Sequence, residues 1–131
     1  MQRRIINPWT WQDPYNAAQA VEITGASRTL LCSGQIAVDA EGNPLHAGDM
    51  KAQMKLALDN LETVLRHAGY TFSDVVGMNI YATDMEAFMA EFEVLSSRLK
   101  EAKCCPMMTG VGVTKLAFPG LMIEIEATAM K

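Results

Sequence analysis

At 131 residues, half of them hydrophobic, the chain has the size of one domain and can bury a core without disulfides or metal ions. Fifteen acidic against eleven basic side chains give a net charge of −4, and Arg3-Arg4 is the only basic doublet. This argues against nucleic acid as a partner, since neutralising phosphates supplies most non-specific affinity. No apolar run reaches the roughly 18 residues of a membrane span and no export signal is visible, so one soluble domain over residues 1–131 is expected, without a membrane partner.

The first predicted element is a short edge strand at Arg3-Arg4-Ile5-Ile6, followed by a loop through Asn7-Pro8-Trp9-Thr10-Trp11-Gln12-Asp13-Pro14-Tyr15, where two prolines break regular pairing. Two tryptophans and a tyrosine in a loop suit either packing over a sheet edge or the wall of a ligand pocket. Ala20 to Ile23 and Thr29 to Ser33 are apolar or β-branched runs separated by Gly25-Ala26-Ser27, which predicts a hairpin or a nearby strand pair. After a polar turn at Asp39 to Pro44, Met50, Met54, Leu58, Leu61, Leu65 and Ala68 recur at helical spacing, with Asp49 at the start and Gly69 as the stop.

Val76, Met78, Ile80 and Ala82 alternate with Gly77, Asn79 and Tyr81, a half-buried strand over residues 74–82. Thr83-Asp84-Met85-Glu86 has the form of a capping box and predicts a second helix with the stripe Met85, Phe88, Met89, Phe92, Leu95 and Leu99, ending before Pro106. Two strands close the chain. In Met107 to Thr114 one parity carries Met108, Gly110 and Gly112, leaving backbone open to close approach; in Leu121 to Ala129 the apolar parity opposes Glu124, Glu126 and Thr128. The element order predicts an α+β fold with about six strands in a mixed sheet and two helices on one face. The other sheet face, apolar in part, is then a surface for self-association.

Three cysteines, Cys32, Cys104 and Cys105, are an odd number without a secretory signal, so no disulfide framework is expected and a reducing cytoplasm is the natural compartment. His46 and His67 lie far apart and form no ligand spacing with Cys or carboxylates, so neither a metal nor a cofactor is expected.

Pro14-Tyr15, Ser33-Gly34-Gln35, Gly48-Asp49 with Gln53, Asn60-Leu61, Ala68-Gly69, Asp74-Val75-Val76, Asp84-Met85, Pro106 and Glu124-Ile125-Glu126-Ala127 occur in an order that resembles the RidA/YjgF family, also labelled the endoribonuclease L-PSP family. No single segment is specific; their order and spacing are. The resemblance implies a homotrimer of chorismate-mutase-like α+β subunits, with sheets inward, helices outward and a small-molecule cleft at each subunit boundary. The matching substrate-binding positions are Tyr15, Ser33, Gly34, Phe92, Met108 and Gly110, with Glu124 as the catalytic residue. Members of the family hydrolyse imines and enamines, and Glu124 in the matching position would relay a proton to a bound water. Ser33 has no base beside it in sequence and is a poor nucleophile.

Two departures weigh on function. The family's motif arginine, which forks onto the substrate carboxylate, is Met108 here, and a frequent asparagine on the second helix is Phe92. Both changes make the cleft more apolar. Two function classes therefore stand: a hydrolase or deaminase-like enzyme acting on an imine, enamine or related reactive metabolite through Glu124 and a water, or a non-catalytic small-molecule-binding or structural trimer. The acidic balance weighs against the endoribonuclease label.

Overall fold

Six strands and three helices, described over residues 1–131 in a computed structural model, form a mixed α+β fold. In chain order they are β1 (Gln2–Ile6), β2 (Ala20–Thr24), β3 (Thr29–Gln35), α1 (Met50–His67), β4 (Val75–Ala82), α2 (Met85–Ala90), α3 (Glu93–Glu101), β5 (Met107–Gly112) and β6 (Ile123–Met130). The main sheet has four strands in the order β3-β6-β4-β5, antiparallel except for the β4–β5 pair. A parallel pair needs a long crossover, which α2 and α3 supply.

The expected sheet of about six strands is instead a four-stranded sheet and a separate β1–β2 ribbon. The pairing of β2 with β3, one option in the sequence, does not occur. Hydrogen bonds from the Ser27 and Arg28 amides to the Lys131 carbonyl, at 2.7 and 3.0 Å, hold the start of β3 against the C-terminal strand. Along that pairing Leu30 faces Ala129 and Cys32 faces Ala127, so the buried parities coincide and β2 is left to β1.

The core lies between α1, α2, α3 and one face of the main sheet. Met54, Leu58, Leu61 and Leu65 of α1 meet Met78 and Ile80 of β4 and Ile123 and Ile125 of β6, all essentially without solvent contact. Each such side chain contributes about 1.5–3 kcal/mol of burial, an upper bound for a compact unfolded state. Asp49 caps α1 by accepting from the Ala52 amide at 3.0 Å. Gly69, at φ +78°, ends it with the Tyr70 amide returning to the Leu65 carbonyl at 2.8 Å.

The predicted second helix is two helices. At Glu91 the backbone leaves the helical region, with φ −109° and ψ 16°, and the Glu91, Phe92 and Val94 amides bond three residues back rather than four. The stripe breaks accordingly: Met89 is exposed while Phe88, Leu95 and Leu99 are buried. The cap also shifts by one residue. Asp84, not Thr83, accepts from the Ala87 amide at 3.0 Å, because the Thr83 amide is still engaged with the Met122 carbonyl. No helix is long and apolar enough to cross a membrane.

Two amides on α1 fasten the loops that flank the open end of the sheet. Gln53, fully buried, donates to the carbonyls of His46 and Gly120 at 3.0 and 2.7 Å and accepts from the Met122 amide at 2.8 Å. Asn60 donates to the carbonyls of Ile36 and Val38 at 2.9 and 3.0 Å. Gln53→Leu keeps the volume but removes three hydrogen bonds and leaves the Met122 amide and the Gly120 carbonyl without this partner, so it should lose about 2–4 kcal/mol in urea unfolding. A loss below about 0.5 kcal/mol would mean that water replaces the side chain.

Candidate functional site

The positions matched in sequence fall into two groups on opposite faces of the main sheet. Tyr15, Phe92, Met108 and Gly110 line one cavity of about 520 Å³ at the β5 edge, on the helix side. Ser33, Gly34 and Glu124 gather on the other face, where β3 meets β6. One protomer does not bring the two groups together.

The first group is assembled by a tethered loop. Gln12, buried in it, donates to the Trp9 carbonyl at 2.9 Å and to Asp13 Oδ1 at 3.1 Å, and accepts from Gln19 Nε2 at 3.2 Å. The Ala18 amide then bonds the Pro106 carbonyl at 2.9 Å, tying the loop to the start of β5. This sets the short 3₁₀ turn Asp13–Tyr15 beside the helices, and the Tyr15 ring meets Phe92 edge to face at 5.2 Å between centroids. Phe92 meets Phe88 in the same way at 5.5 Å. The tight joint between α2 and α3 thus gives the cavity an aromatic wall. Met108 and Gly110 enter from β5, opposite Met78 and Ile80. A Cβ on Gly110 would meet nothing within 4 Å, so this glycine leaves space and bare backbone instead of relieving a clash.

The second group rests on a bulge. Between Cys32, paired with Ala127, and Gln35, paired with Ile125, Ser33 and Gly34 together stand against the single residue Glu126. A Cβ on Gly34 would lie 2.6 Å from Cδ of Glu124, so the glutamate leans directly on the glycine backbone. Gly34 does not have a positive φ; its lack of a side chain makes room for the glutamate where it lies.

Two alternating glutamates that look alike in sequence are unlike in the fold. Glu126 accepts from the Tyr81 hydroxyl and from Asn79 Nδ2, the latter at 3.1 Å. Glu124 has no hydrogen-bond or ion-pair partner in the chain. Sequence reasoning missed Tyr81 and Asn79. Their signal was the shared open parity of β4, which becomes informative only once β4 is known to pair with β6.

The three cysteines are free. Burial pushes the Cys104 thiol up to about 12, and burial also raises Cys32 and Cys105, so none is a ready thiolate. No three His, Cys, Asp or Glu side chains converge in a way that would hold a metal ion.

Residues 10–131 match the family model described as endoribonuclease L-PSP. A RutC family protein of Pyrococcus horikoshii is 35% identical over 118 residues, covering 90% of this chain and 87% of the relative. Among solved structures, the Rid family protein YyfB from Yersinia pestis, described as of unknown function, superposes with a TM-score of 0.88 at 38% identity over the whole of both chains. TdcF from Escherichia coli, solved with bound serine, gives 0.72 at 26% identity, covering 96% of this chain and 90% of that one. The chain belongs to the RidA/YjgF family, the endoribonuclease L-PSP family of the matching model.

The hydrogen bond to Glu126, with burial and the charges of Glu126 and Glu124, raises the Tyr81 pKa above that of a free phenol. A raised phenol binds its proton longer in the folded state, so its contribution to stability is complete below the unfolded pKa, about 10, and is lost as pH rises towards the folded value. Tyr81→Phe should therefore remove the latest part of the phenolate absorbance titration and flatten the alkaline fall in melting temperature. An unchanged alkaline profile would show that the Tyr81–Glu126 bond does not persist in solution.

Proposed function

We propose that this protein is a RidA-like homotrimer in which the cavity of one subunit and the Glu124 face of its neighbour complete a small-molecule site, and that the site hydrolyses an imine or enamine. The observation that carries the reading is Glu124: a carboxylate without a partner, seated against the bared backbone of Gly34 and at the position matching the family's glutamate. The division of the matched residues between two sheet faces supports assembly, because the site is incomplete in one copy. Water would add to the imine carbon as Glu124 takes its proton. The carbon–nitrogen bond of the carbinolamine then breaks, and nitrogen leaves as ammonia or ammonium with protons from Glu124 and from the hydroxyl. The free cysteines fit a reducing compartment such as the cytoplasm, and the charge balance fits a protein without a nucleic-acid partner.

A non-catalytic binding trimer is the second reading. It is favoured by the aromatic wall, where Phe92 is held by both Tyr15 and Phe88 and offers no polar group to a substrate. Glu124→Gln against Glu126→Gln separates the two: loss of turnover in the first variant alone, with trimers by light scattering in both, is the expected outcome. Equal effects, or a monomer at micromolar concentration, would remove the catalytic reading.

Met108 in place of the motif arginine predicts weak activity on 2-imino acids. A charge-assisted bidentate contact missing from a desolvated pocket is worth on the order of 2–5 kcal/mol, about two to four decades in rate or affinity. Ammonia release from enzymatically generated iminopyruvate should be low in the wild type and gain in Met108→Arg. Wild-type turnover matching that of an arginine-bearing RidA would refute the assignment of this role to position 108.

A further inference from the structure

We infer that the ligand of this site is a cation without a carboxylate: the protonated imine of a simple amine, not the imine of an amino acid. The inference rests on the trimeric reading above and names the substrate class of the same site.

Three observations fix the sign of the charge. No Lys, Arg, His, Asp or Glu lines the cavity, so an anion entering it would find no counter-charge. The wall instead offers four thioethers, Met85, Met89, Met107 and Met108, beside the rings of Tyr15 and Phe92. Sulfur lone pairs and ring faces present negative potential, and both favour a cation or an apolar group over a carboxylate. The third observation is Glu124, which in the proposed assembly faces that wall. None of the chain's ion pairs uses it, so its charge is available to a ligand. Glu126, held by Tyr81 and Asn79, keeps the same sign close by.

The family's arginine and glutamate together would suit a ligand with a carboxylate at one end and a nitrogen at the other. With Met108 in place of the arginine, only the nitrogen end retains its partner. A volume of about 520 Å³ suits a ring-bearing molecule of modest size. The carboxylate end of a 2-imino acid would be desolvated against methionine and phenylalanine, while an iminium bearing a hydrocarbon group leaves no polar atom unpaired.

The test uses three probes with one ring and three charges: benzylamine, benzyl alcohol and benzoate. Their binding to the wild-type protein at pH 7 is followed by calorimetry and by quenching at Trp11, which lines the cavity. The expected order is benzylamine, then benzyl alcohol, then benzoate, with about tenfold or more between first and last, equivalent to at least 1.4 kcal/mol. In Glu124→Gln the amine should lose its advantage over the alcohol while the alcohol is unaffected. Light scattering on the same samples separates the two levels of the argument. A trimer that binds benzoate as well as benzylamine, or that binds none of the three, overturns the ligand class and leaves the assembly intact. A monomer overturns both.

Discussion

The two-faced parity of β6 is the constraint on which the rest of the molecule depends. Ile123, Ile125, Ala127 and Ala129 are buried against the helices, and β6 is the strand that both β3 and β4 pair with. A slip of one residue would turn four apolar side chains into the open face and bring Glu124 and Glu126 into the core. The desolvation of two carboxylates makes that register inaccessible. The position of Glu124 on the face away from the helices therefore follows from core packing, without any contact devoted to holding the side chain there.

From the same strand comes the division of the candidate site. β5 lies at the far edge of the sheet from β3, and its Met108 and Gly110 share the helix-side face with Met78 and Ile80. Glu124 and Gly34 lie on the reverse. The sheet lies between the two groups, which is why the proposed site draws on two copies. The aromatic cluster at Tyr15 and Phe92 is in turn set by the buried amide of Gln12 and by the tight joint after α2. Both devices are built from contacts within one chain.

Periodicity carried the strands and α1 because burial there is one-sided and sustained, as the 18 residues of α1 illustrate. It failed where two local solutions compete at nearly equal cost. Thr83 and Asp84 both suit a cap, and what decides is an amide already engaged with Met122, a partner distant in sequence. The break at Glu91 has no glycine or proline to announce it, and Phe92 fits the helical stripe as well as it fits the cavity wall. The partner of β2 was beyond reach for a related reason. Runs on either side of a turn suggest a hairpin, but the C-terminal strand outcompetes β2 for the edge of β3. The candidate positions were chosen by their match to a family pattern, whereas the engagement of Glu126 by Tyr81 and Asn79 required the β4–β6 pairing.

Gly34 and Gly110 are glycines for opposite reasons, and inheritance should treat them differently. At 34 the space beyond Cα is already taken by the Glu124 side chain; at 110 it is empty. Substitutions at 110 can accumulate one methyl at a time, narrowing the cavity while the carboxylate stays where it is. At 34 a side chain can be added only if residue 124 swings aside or shortens, so change at 34 depends on 124 while change at 124 does not depend on 34. Within such a lineage the volume of the pocket is free to drift one methyl at a time, while the backbone beside the carboxylate stays bare for as long as the glutamate leans on it.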